Sequence, residues 1–283
     1  MNEIVEAPHI PISFGICVGP NPNIQWLAAL VDSIRALNIP DYEIILVSNE
    51  FVDLDSHLKI VEANTANTLR MAVRKDWWLP KKKNFIANQA KYDTVCIVHD
   101  YYLFDEGWYD GVCECLQNFS HYNKPWDILS AYVLRLEDSE RGPDWVVNPN
   151  YLKKFLDAPE NKDMERELRT LYPLENHPMY VVGLGAFEER LISLQYVSGG
   201  YIMCKKNVLL EVPLDETLVH GQAEDVEWYE RVKKSPSNFQ LRFNPFSIVY
   251  TQKPNKWKVY PLMEFHIKRL REAIDNGFFN HVS

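Results

Sequence analysis

The residues of this chain whose types and spacing could do chemistry are the pairs His99-Asp100 and Glu224-Asp225, with lysines at 81, 82 and 83 and at 253, 256 and 258. His99-Asp100 closes the β-branched run "TVCIVHD" (94–100), so an imidazole and a carboxylate stand together where a buried strand ends. Such a pair can hold a divalent cation weakly, with water completing the shell, or the aspartate can cap the next turn. Glu224-Asp225 opens "EDVEWYERVKK" (224–234), which has acids first, lysines last and Pro236 behind it, as a helix and its macrodipole prefer. A carboxylate there can accept a proton in a partly closed site, or only satisfy the free N–H groups of a first helical turn. The two lysine clusters suit a small phosphorylated ligand.

These groups have to be positioned by regular elements. "ISFGICV" (12–18) is an apolar run closed by Gly19-Pro20, and after it Ile24, Leu27, Leu30, Val31 and Ile34 follow helical spacing. "YEIILVS" (42–48), "LKIVEA" (58–63) and 94–100 read as further strands, with a helix from Lys83 to Ala90. This alternation predicts βαβ units in an α/β fold, with a mostly parallel sheet flanked by helices. Ligands of such sheets bind beyond the carboxyl ends of the strands, where Gly19-Pro20, Ser48-Asn49-Glu50 and His99-Asp100 all fall. The second half predicts a strand at 126–136, a helix over 164–171 and a strand at 196–206, "YVSGGYIMCKK". The pair Gly199-Gly200 inside that run marks a place where a ligand or another backbone comes close. With no repeat, low-complexity tract or linker, residues 1–283 read as one domain with two lobes.

A net charge of −9 excludes a chain whose whole surface grips nucleic acid. "MNEIVEAPHI" carries acids where a secretory signal would be basic, and no apolar run approaches the roughly 18 residues of a membrane span, so a cytoplasmic protein is expected. The five scattered cysteines fit a reducing compartment. Cys113 and Cys115 would point to different faces of a helix, as buried thiols rather than a metal site.

In their order, the first strand with its loop and helix, "KKNFIANQAKYDTVCIVHD", "SGGYIMCKK" and "EDVEWYERV" resemble the GT-A-fold glycosyltransferases, especially the inverting family 2 and its relatives, over roughly residues 10–235. The resemblance implies a Rossmann-like GT-A sheet and transfer of a sugar, with inversion, from a nucleoside-diphosphate sugar to an acceptor hydroxyl, in glycan or polysaccharide biosynthesis. Residues from about 10 to 125 would bind the sugar nucleotide, and those from about 126 to 283 the acceptor and the catalytic groups. Lys83-Asn84 takes the place of the family's basic-Asn pair, and Val18-Gly19 that of its first nucleotide-binding loop.

The two acidic slots of the D-x-D motif fall on His99 and Tyr101, with Asp100 between them, which departs from the pattern. A divalent cation, Mn²⁺ or Mg²⁺, would then be held by Asp100 and His99 alone, with the lysines at 253, 256 and 258 as candidate substitutes. Gly199-Gly200 would lie beneath the donor sugar and Asp225 would be the catalytic base. Glu224 and Glu227 would start the helix or orient the acceptor. After the second strand Asn49 could meet a base edge and Glu50 a ribose hydroxyl, or both could be turn residues. Trp145 and Trp257 are candidate sugar platforms, placed in loops with Trp108. His266 is either an added metal ligand or part of an amphipathic helix. Two rivals stand beside this reading. A nucleotidyltransferase would normally show a glycine-rich basic loop where the chain has "VGPNPNIQ", and a sugar-binding scaffold without catalysis is favoured by the incomplete D-x-D.

Overall fold

The computed structural model describes residues 9–54, 68–137, 158–159, 197–219, 222–253 and 275. The first apolar run forms β1 (Ile12–Cys17), and the periodic segment after it forms α1 (Ile24–Arg35), capped by the Asn23 side chain, which accepts from the Gln25 and Trp26 N–H groups. There follow β2 (Tyr42–Ser48), β3 (Thr68–Val73), α2 (Leu79–Gln89), β4 (Thr94–His99), β5 (Tyr102–Phe104), α3 (Trp108–His121) and β6 (Ile128–Arg135). The later described elements are β7 (Tyr201–Lys205), α4 (Lys206–Glu211), α5 (Glu224–Lys233) and β8 (Leu241–Thr251).

The eight strands make one sheet in the order β3-β2-β1-β4-β7-β6-β8-β5. β3, β2, β1 and β4 are mutually parallel, β7 runs against both β4 and β6, β8 is parallel to β6, and β5 runs against β8. The α/β class with a mostly parallel, helix-flanked sheet is thus what the chain adopts. Strand alternation splits the core into two layers. Ile12, Phe14 and Ile16 of β1 pack with α1 and α3 through Leu27, Val31, Trp108 and Val112. Ile45 and Val47 of β2, with Val95 and Ile97 of β4, pack instead with α2, α4 and α5 through Ile86, Val208 and Trp228. A side chain at Gly15 would collide with Ile86, which is how α2 lies close on β1.

From β1 the chain goes out to β2 and β3, then returns to pair β4 on the other side of β1. That reversal leaves a crevice at the carboxyl ends of β1 and β4, the usual ligand position in an open α/β sheet.

Three expectations change, and two fall outside the described residues. α2 begins at Leu79 rather than Lys83, because Pro80 falls in the first turn, where its missing N–H costs nothing. Gly199-Gly200 forms a turn, and the strand starts only at Tyr201. Trp108 is not a loop residue but the fully buried first residue of α3, with its Nε1–H donating to the Tyr201 hydroxyl at 3.2 Å. The third strand is described at Thr68–Val73, whereas the expected strand at 58–63 and helix at 164–171 lie outside the described residues. All five cysteines are free and buried.

Candidate active site

A cavity of about 440 Å³ opens at the crevice between the ends of β1 and β4, and its walls include Gly19, Asn49, Lys82, His99, Asp100 and Lys253. Lys82 reaches it from α2 and is only 2 % exposed. Its ammonium donates to the Val18 carbonyl and, at 2.6 Å, to the Asn49 side-chain oxygen. Both partners are neutral, and burial pulls the Lys82 pKa below the ordinary lysine value. The other end of the Asn49 amide donates to the carbonyls of Arg74, Lys75 and Trp77. Asn49 is therefore committed to the backbone and to Lys82, which it clamps. Glu50 likewise accepts from the Asn21 N–H at 2.8 Å.

Opposite Lys82 lies the end of β4. Asp100 accepts the Gly19 N–H at 3.1 Å, and burial raises its carboxyl pKa against the opposing pull of that bond and of Lys253. His99 Nδ1 meets the Tyr101 hydroxyl at 2.9 Å, while Nε2 is shielded from solvent and has no partner among the described residues. Burial, then the charges of Lys83, Lys253 and Lys82, hold the His99 pKa well below its usual range, so the ring is neutral. The Lys253 ammonium sits 3.6 Å from the centre of the Tyr101 ring. Burial also lowers its pKa.

The acid pair Glu224-Asp225 lies near enough to Tyr101 for its charge to act on that phenol. Ala223, in the left-handed conformation, turns the chain into α5 and presents Glu224 and Asp225 in the first turn. Asp225 Oδ2 accepts the Gly199 N–H at 2.8 Å and Oδ1 accepts from Val226. A carboxylate has about four lone-pair sites, so capacity remains to take a further proton. The Gly200 carbonyl accepts the His99 N–H at 3.1 Å, so the Gly199-Gly200 turn joins the cavity wall to the acid. Both glycines are needed for packing: a Cβ on Gly199 would lie 2.8 Å from Asp225 Oδ2, and one on Gly200 2.6 Å from the Tyr102 hydroxyl.

Lys83 and Asn84 do not line the cavity. The Lys83 ammonium, fully buried, pairs with Glu224 at 3.1 Å, tying α2 to the start of α5. Asn84 exchanges hydrogen bonds with the Leu214 backbone and donates to Glu216. Sequence reasoning missed the roles of Lys82, of Asn49 as its clamp, and of Trp26, Trp77 and Trp78, which line the cavity. Trp145, Trp257, His266, Lys256 and Lys258 lie outside the described residues.

The implied cation fits this donor set poorly. Among the described residues no group of three or more His, Cys, Asp or Glu side chains could hold a metal ion. Tyr101, in an acidic slot of the motif, is a phenol that burial keeps protonated, and two lysines face the same space.

No protein-family profile matches the chain, and no curated protein does. Among solved structures it is similar to S. aureus TarS, residues 1–349, with 10 % identity and a TM-score of 0.44 over 94 % of this chain and 72 % of that one. A second crystal structure of S. aureus TarS gives 11 %, 0.45, 96 % and 40 % for the same measures. TarS 1–349 in complex with UDP-GlcNAc gives 11 %, 0.49, 95 % and 73 %. These likenesses are distant, and nothing about ligand or reaction follows from them. Among the described residues no helix is long and apolar enough to cross a membrane.

Proposed function

We propose that this chain is a glycosyltransferase that moves a sugar, with inversion, from a nucleoside-diphosphate sugar to an acceptor hydroxyl. The observation that carries the reading is the Gly199-Gly200 turn, which joins a lysine-bearing cavity at the strand ends to a carboxylate on a helix start. The diphosphate would occupy the cavity beside Lys82 and Lys253, with the nucleoside toward Trp26, Trp77 and Trp78. The sugar would lie across the turn, within reach of Asp225.

Asp225 then takes the acceptor's proton as its oxygen attacks the anomeric carbon. The bond from that carbon to the diphosphate oxygen breaks, its electron pair leaving with the phosphate. One displacement gives inversion, and the lysines stabilise the charge that develops on the leaving group. Glycan or polysaccharide acceptors fit this chemistry because they offer hydroxyls.

The test is release of a nucleoside diphosphate from a panel of sugar nucleotides with saccharide acceptors. Asp225→Asn keeps the side chain's size and one of the two oxygens that accept from Gly199 and Val226, so donor affinity should hold while melting temperature falls only slightly. Transfer should fall by roughly 10²- to 10⁴-fold, the range for losing a positioned general base. Normal transfer by this variant would leave Asp225 as a cap only. Pyrophosphate release would favour a nucleotidyltransferase instead, and no turnover of any donor a non-catalytic sugar-binding scaffold.

A further inference from the structure

We infer that the donor's diphosphate is neutralised by two lysines, Lys82 and Lys253, held at one cavity, in place of a divalent cation; the inference rests on the nucleotide-sugar reading of this site. A buried ammonium is costly unless a counter-charge meets it, because neutral oxygens replace only part of its hydration. Lys82 is 2 % exposed and its partners are the Val18 carbonyl and the Asn49 amide oxygen. Among the described residues neither Lys82 nor Lys253 forms an ion pair. Among the described residues that line the cavity, Asp100 is the one carboxylate, against the ammonium groups of Lys82 and Lys253. The described lining therefore carries an excess of positive charge, which attracts an anion and opposes a divalent cation.

The contacts around the lysines are built to hold that charge in place. Asn49 spends its amide N–H groups on the carbonyls of residues 74, 75 and 77, and so fixes the oxygen that grips Lys82. Asp100 is turned toward the Gly19 N–H, and Tyr101 is engaged by His99 and covered by the Lys253 ammonium.

The experiment is isothermal titration calorimetry of UDP, GDP, ADP and CDP into the protein in EDTA and in Mn²⁺, with Mn²⁺ alone followed by electron paramagnetic resonance. The expected result is binding of one of these nucleotides in EDTA, with an affinity gain from Mn²⁺ of less than about tenfold and no tight Mn²⁺ site on the free protein. Lys82→Met and Lys253→Met should each weaken that nucleotide in EDTA by about tenfold or more, as loss of a charge-assisted contact does. Lys253 is the less buried of the two, so its variant carries the test if Lys82→Met fails to fold. A larger gain from Mn²⁺, a tight Mn²⁺ site, or a lysine variant that binds normally would overturn the inference and leave the nucleotide-sugar reading standing. Failure of every nucleotide with and without metal would remove that reading, and the inference with it.

Discussion

Lys82 and Lys83 are neighbours on α2, yet one faces a cavity and the other an acid. Consecutive helical residues differ by about 100° in direction, so two adjacent lysines reach different surroundings. Because Lys83 is fully buried against Glu224, Lys83→Met leaves a carboxylate without its partner and should lower stability by about 3 kcal/mol. Its nucleotide affinity should change little, which chemical denaturation together with calorimetry would check. Loss of affinity at unchanged stability would instead put Lys83 on the ligand.

His99 gives a pH prediction. Its folded pKa lies well below the ordinary value near 6.5, so in the interval between the two the unfolded chain binds the proton and the native ring does not. Stability should therefore fall as pH drops below about 6.5, and His99→Asn should flatten that part of the profile. An unchanged profile would rule His99 out as the source. The sequence marked this neighbourhood through "KKK" and "HD", but it could not say which lysine reaches the cavity. Nor could it show that Asn49 is spent on three carbonyls, since those partners are set by loop geometry rather than by spacing.

The strands that hold the site are the easiest elements to read. β1, β2 and β4 are continuous apolar runs because both their faces are covered by helices, and such runs announce themselves. α3 and β8 were hidden for opposite reasons. "WYDGVCECLQNFSH" begins after a glycine and carries another in its first turns, which reads as loop. "LRFNPFSIVYT" carries a proline that argues against a central strand. The two features explain each other: the pairing of β6 with β8 shifts from Ala131↔Asn244 to Tyr132↔Ile248, and the proline lies in the irregular stretch between. The same stretch presses the Phe246 carbonyl against Gly111, where any Cβ would collide with backbone. Gly111→Ala should thus cost about 2 kcal/mol or more, since neither α3 nor the bulge can move without the other. A melting temperature equal to the parent's would show that the contact between α3 and β8 is looser than the structure has it.

At the scale of the whole molecule, the cavity is assembled from segments distant in the chain. The loop after β1 gives Gly19, the end of β2 gives Asn49, α2 gives Lys82, the end of β4 gives Asp100, and the residues after β8 give Lys253. No one of these is a site alone, which is why short motifs located the region without defining it. A ligand that bridges them binds only the folded chain and must stabilise the fold as a unit by mass action. At a nucleoside diphosphate concentration of about 100 times Kd the gain is about 2.7 kcal/mol. For a chain of this size that amounts to a rise in melting temperature of roughly 4–5 °C. The transition should remain single, because ligands from both halves of the chain line one sheet. Asp225→Asn, with the cavity intact, should show the same rise, while Lys82→Met, binding about tenfold more weakly, should show about half of it or less. A scanning-fluorimetry panel of nucleoside diphosphates would read all three proteins at once. Equal shifts in the parent and Lys82→Met would place the nucleotide elsewhere on the molecule, and a rise lost in Asp225→Asn would mean that this carboxylate holds the donor rather than awaiting the acceptor.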